Sequence, residues 1–166
     1  MNLGKLSLAF AVYLLCGMSI STVHGKSKVE ISKDMIQQLI ADINNNKNNF
    51  RLSAADLEVL HKNLKYKLYD LNGDEAPEFF LYIDHSDWCG AGGSNCSYWV
   101  YQKTRSGYTL LIEGTKLKPA HSFTKGYKDL IGEQKGGWGD YLITTYKFNG
   151  KKYKVVKQLN RTRVKG

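Results

Sequence analysis

The hydrophobic pattern of this chain changes period at Leu64, and that change limits what it can fold into. Before Leu64 the apolar residues recur every three to four positions. From Leu64 to about residue 158 they alternate with polar ones, in runs of six to nine residues broken by short turns. "LKYKLYD" sets Leu64, Tyr66 and Leu68 against Lys65 and Lys67, and "EFFLYID" (78–84) is apolar on both faces, as a central strand is. "SYWVYQK" (97–103) and "YTLLIE" (108–113) flank Arg105-Ser106-Gly107, a hairpin loop, and "AHSFT" and "YKDLIGE" read as weaker strands. "DYLITTYKF" (140–148) and "KKYKVVKQ" (151–158) flank Asn149-Gly150, the strongest short hairpin signal in the chain. Consecutive strands joined by tight turns pair antiparallel, so the pattern predicts a meander sheet of six to eight strands.

Two helices precede it. Met35, Ile36, Leu39, Ile40 and Ile43 share one helical face behind Ser32, a suitable N-cap, and the run ends in the asparagine cluster of residues 44–49. Ser53 with Asp56 three residues on resembles a capping box, opening a helix that turns Ala54, Leu57 and Leu60 inward and closes at 61–63. The expected class is α+β: two N-terminal helices covering one face of an antiparallel sheet. The domain is expected at 32–158, with a linker at 26–31 and a frayed basic tail at 159–166.

Residues 1–25 have the order of a secretory signal: Lys5, an apolar run from Leu6 to Leu15, then Val23-His24-Gly25 as the cleavage region. The run is too short to span a bilayer. Cys16 follows Leu15 instead of a small residue, which disfavours lipid attachment. The expected location is therefore the periplasm or the exterior. The chain carries 24 Lys and Arg against 15 Asp and Glu, a formal charge of +9, of which only Lys5 is removed with the signal. A basic exported chain favours an envelope protein or an anionic glycan or lipid as partner. Lysines along strands also serve to keep sheet edges unpaired. Nucleic acid is disfavoured, because Lys151, Lys152, Lys154, Lys157, Arg161 and Arg163 alternate faces of a strand in an exported protein.

"YDLNGDEAPEFF" (69–80) places Asp70, Asn72 and Asp74 at alternate positions, as oxygen ligands stand in calcium loops, with Glu78 beyond. Counting from Asp70, the sixth position is Glu75 instead of glycine and the twelfth is Leu81 instead of glutamate. The mechanical reading is a tight turn: Asn72-Gly73 supply left-handed positions, Asp70 binds its own backbone and Pro77 opens the next strand. Weak calcium binding at Asp70, Asn72, Asp74 and Glu78 is the alternative; no other cofactor is expected.

"DLNGDEAPE", then "CGAGGSNC" and "GYKDL" (126–130), together resemble a loose family of small exported bacterial proteins with a D-L-[ND]-G-D-x-x-P-E turn and a C-G-x-G-G-C-like loop. The turn alone is similar to the aspartate-rich loops of FG-GAP repeats, which bind calcium. The resemblance spans residues 64–158 and implies export and fold class, with no activity attached. Glu75 replaces the usual second glycine of the turn, and Ser94 and Asn95 lengthen the cysteine loop.

"DHSDWCGAGGSNC" (84–96) holds both cysteines of the mature chain. In an oxidising compartment Cys89 and Cys96 are expected to pair. A zinc site with His85 and Asp87 fits poorly, since six residues separate the cysteines. Asp84, His85 and Asp87 as acid and base would make an envelope hydrolase, but no serine elbow or paired glutamates accompany them. What remains is a stapled glycine loop carrying Trp88, and a second glycine loop, "QKGGWGD" (134–140), carrying Lys135 and Trp138. The sequence therefore predicts a small secreted or periplasmic, non-catalytic binding module contacting its partner through Trp88, Trp138, His85 and Lys135. A protein inhibitor or immunity-type module is the first alternative, because a stapled hairpin is pre-organised.

Overall fold

The computed structural model describes residues 30–45 and 51–162. The expected signal segment, most of the expected linker, most of the asparagine cluster and residues 163–166 lie outside the described residues.

Helix α1 (Lys33–Asn44) starts at Ser32, whose hydroxyl accepts from Met35 N. Helix α2 (Ala54–Asn63) starts at Ser53 with a complete capping box, Asp56 playing the part usually taken by glutamate. Met35, Leu39 and Ile43 are buried as the spacing predicts. In α2 only Leu60 is buried; Ala54 is exposed, because α2 touches the sheet with its C-terminal half.

Eight strands follow: β1 (Leu64–Tyr69), β2 (Glu78–Ile83), β3 (Asn95–Thr104), β4 (Gly107–Thr115), β5 (Lys118–Thr124), β6 (Tyr127–Lys135), β7 (Asp140–Phe148) and β8 (Tyr153–Thr162). All pair antiparallel with their chain neighbours, but they form two sheets, β1-β2-β3-β4 and β5-β6-β7-β8, instead of one. The break falls at Lys116 and Leu117. Lys116 N donates to Cys96 O, one step beyond the Ser97–Thr115 pair, and the left-handed φ of Lys116, 43°, then turns the chain out of the first sheet. Leu117 then buries its side chain between the sheets.

The first sheet is covered on both faces. Phe79, Leu81, Ile83, Trp99 and Tyr101 pack with Met35, Leu39, Ile43 and Leu60 of the helices. Their strand neighbours Phe80, Tyr98 and Val100 pack with Leu130, Phe148 and Tyr153 of the second sheet. Each such buried side chain stabilises by roughly 1.5–3 kcal/mol before entropy is counted. Tyr101 sits under α1 and donates its hydroxyl to Asp42 Oδ2 at 2.7 Å. Burial, and then that carboxylate, push its phenol up, so it stays a neutral donor. Where the sheets approach, Gly132 has no room for a side chain: a Cβ would stand 3.0 Å from the Tyr146 ring and 3.1 Å from Thr115 O.

Two boundaries differ from the sequence reading. The loop between β7 and β8 has four residues, with the Asn149 side chain accepting from Lys151 N and Lys152 N, so Asn149-Gly150 is not a two-residue turn. β8 continues through Thr162, because the chain stays paired with β7 as far as Asp140; residues 159–162 are therefore strand and not tail.

Candidate functional site

A meander sends alternate connections to opposite ends. The β2–β3, β4–β5 and β6–β7 connections gather at one end, together with the last residues of β8. The aspartate turn and the β5–β6 and β7–β8 loops gather at the other.

At the first end Cys89 and Cys96 are disulfide-bonded, with S–S 2.04 Å and Cα–Cα 3.9 Å, and both are buried among the residues between the sheets. Cys89 faces Cys96, and Gly90 faces Asn95, as antiparallel bridges, so only residues 91–94 turn the chain. Ala91, Gly92 and Gly93 all take left-handed φ, 52°, 63° and 82°. Glycine accepts that freely; Ala91 carries the strain, and the staple holds it there.

Asn95 has a role the sequence did not reveal. Its side-chain amide donates to Lys135 O at 2.8 Å and accepts from Lys135 N at 2.7 Å. This two-point bond mimics a strand pair and holds the two glycine loops side by side. No local signal marks it, because the partner lies forty residues away. The second loop turns on Gly137–Gly139, with Gly136 N bonded to Asp140 O.

The predicted contact residues fare differently. Lys135 is exposed at the clamp, and Trp138 lies in the turn beside it. Trp88 is half-buried and packs against the core between the helices and the first sheet, so its indole serves that core and is not held out on a loop. His85 Nδ1 accepts from Asp87 N at 3.4 Å, capping the short turn Ser86–Trp88, and lies 3.7 Å from Asp87 Oδ2. The histidine is thus engaged with its own loop. Below the second loop two depressions flank the sheet. One of about 400 Å3 lies among Glu133, Tyr141, Ile143 and Arg161, and one of about 330 Å3 lies among Lys135, Gly136, Asp140 and Asn160.

At the other end the aspartate turn is a cap. Asp70 accepts from Gly73 N and Glu75 N, Asp74 from Ala76 N and the Asn72 amide, and Asn72 from Asp74 N. Burial raises the Asp70 carboxyl, but the surrounding backbone N–H groups outweigh it and hold the group below the usual carboxylate range. Glu78, the fourth calcium candidate, points elsewhere in its chemistry. It is fully buried, Oε2 accepts from Leu71 N at 2.8 Å, and Oε1 has no hydrogen-bond partner among the described residues. Burial pushes its carboxyl up, against the Leu71 N–H that lowers it. Among the described residues no three acidic, histidine or cysteine side chains converge closely enough to share an ion. The turn's side-chain oxygens accept hydrogen bonds from its own backbone and from the Asn72 amide, as the mechanical reading of the turn expects.

The turn is fixed to the second sheet by Lys128 N to Leu71 O (2.7 Å), Lys128 Nζ to Asp70 O and the Asn72 amide to the Tyr127 hydroxyl. The motif therefore joins the two sheets.

Comparison with protein-family models, with curated proteins and with solved structures finds no match for this chain. Among the described residues no helix is long and apolar enough to cross a membrane.

Proposed function

We propose that the protein is an exported, non-catalytic binding module that meets an anionic envelope component with the end where its two glycine loops join. The observation that supports this reading best is the Asn95–Lys135 clamp, which fixes a stapled loop against a second loop bearing an exposed lysine and a tryptophan. A loop already ordered before contact loses little entropy on binding. Charge supports it too. Lys118 to Thr162 holds ten Lys and Arg against three acidic residues, whereas Leu64 to Thr115 holds four against seven. The positive field is concentrated on the half of the molecule that carries the second loop.

The test is titration of the mature chain, beginning near Lys26, with an anionic polysaccharide and with vesicles with and without an anionic phospholipid, at low and high salt. Binding is expected to one of the anionic probes, to weaken at high salt, and to fall at least fivefold in a Lys135→Glu, Trp138→Ala double variant. Unchanged binding by that variant contradicts the reading. A salt-resistant one-to-one complex with an envelope protein would instead favour the inhibitor alternative, which the stapled loop also supports.

A further inference from the structure

The last strand poses a separate question. β8 is ten residues long, and every residue after Tyr153 is exposed. It lies at the margin of the second sheet, paired on one side with β7. A strand at a sheet margin presents a row of unpaired N–H and C=O groups, and proteins usually blunt such edges. The opposite margin is blunted: β5 carries Pro119 and loses regular register between Pro119 and Phe123. β8 has one irregularity, opposite Thr145 and Tyr146, and from Lys157 to Thr162 its register is unbroken. It also exposes Val155, Val156 and Leu159 at 54%, 53% and 42% of their surface.

The side chains restrict what can add there. Lys157, Leu159 and Arg161 pair in register with Thr145, Ile143 and Tyr141, so all three stand on one face of the sheet. Viewed from the free edge, that face reads cation, apolar, cation at alternate positions. No acidic residue occurs after Asp140. A second copy added antiparallel about Leu159 would set Lys157 against Arg161 twice, and like charges directly opposite destabilise a strand pair. A flexible polyanion would satisfy the lysines but leave the backbone edge and the valines unused. An extended acidic segment satisfies all three features.

We propose that β8 is an addition edge for an extended segment of a partner protein. The segment joins the second sheet as a fifth strand, with acidic residues two positions either side of an apolar one. This is strand addition: main-chain bonds supply affinity and alternate side chains supply selectivity. The inference does not rest on the loop reading above, since β8 contacts the partner through its backbone edge.

The experiment uses the mature wild-type chain and three seven-residue peptides. The first has Glu at positions two and six, Val at four and Thr elsewhere. The second has Lys in place of Glu, and the third is the first with alternate backbone nitrogens methylated on one edge, prepared in both phases. The Glu peptide is expected to bind at least tenfold tighter than the Lys peptide, and amide shifts and exchange protection should centre on residues 155–162. At least one methylated phase should lose binding tenfold, and Lys157→Glu with Arg161→Glu should reverse the preference between the charged peptides. Equal binding of both charged peptides overturns the proposal. So does full binding by both methylated phases, which would mark a polyanion surface, and so do shifts centred away from β8 or self-association of the free chain through it.

Discussion

The two sheets have the same number of strands, the same meander order and opposite surroundings. The first lies between the helices and the second sheet, so both faces of β2 and β3 are buried, and the segment Leu64 to Thr115 that forms it and its loops carries more acidic than basic residues. The second is packed on one face, carries with its loops nine lysines against three in the first sheet and its loops, and ends in a strand with a single buried residue. Equal topology therefore does not mean equal burden. The first sheet holds the fold; the second is free to spend its outer face and margin on contacts. Four experiments break or sharpen that contrast.

The largest effect is expected from truncating equivalent apolar positions. Leu81 is fully buried under the helices, and Leu81→Ala should cost about 2–5 kcal/mol. Val156→Ala on β8 should stay within about 0.5 kcal/mol. Urea unfolding measures both, and similar losses would erase the distinction between the sheets.

Next is the staple. Replacing Cys89 and Cys96 with Ala opens a loop of seven-residue separation and should cost about 2–3 kcal/mol. Because Asn95 follows the loop, amide exchange at Lys135 should also accelerate, a local consequence that simple loss of stability would not single out.

How far the sequence foretold this contrast can be followed residue by residue. The helix at 33–44, the capping box at Ser53 and the two-faced burial of β2 were legible, because each rests on spacing within one element. The charge segregation was also there to be counted. The split into two sheets was not, since alternation says which side a residue faces and not which sheet its strand joins. The deciding residues, Lys116 and Leu117, look like any short turn. The packing of Trp88 against the helix-side core was not legible, because a loop tryptophan's direction depends on the elements that pack above it. The clamp at Asn95 was invisible because its partner is remote in sequence.

A smaller effect concerns the seam between the sheets, where two carboxyls respond to pH with opposite sign. Glu78 is held above its ordinary value of 4.5, so the folded chain binds more protons than the unfolded one from there to its raised pKa. Stability should fall as pH rises through that window, and Glu78→Gln should remove the fall. Asp70 is held below 3.8, so its contribution is present above that value and is lost as pH drops through the lowered pKa. Denaturant midpoints between pH 3 and 8 for wild type and each variant test both slopes. An Asp70→Ala chain should melt lower by the same amount with calcium as with chelator, whereas a loss seen only with calcium would support the metal reading.

The smallest expected change is a gain. Glu75 stands at φ 65, where a side chain is strained. Glu75→Gly should stabilise by less than about 1 kcal/mol, because the relief is partly offset by the freedom glycine adds to the unfolded chain. A loss on thermal melting would show that the Glu75 side chain has a role the turn geometry does not explain.

The most direct measurement is residue-resolved amide hydrogen exchange on the oxidised mature chain. If the first sheet is the frame and the second the contact surface, amides of Phe79–Ile83 and Trp99–Tyr101 should exchange only through global unfolding, at the free energy found with urea. Amides of 157–162 should exchange through local opening at a distinctly lower free energy. Protection in β8 equal to that in β2 would contradict the account.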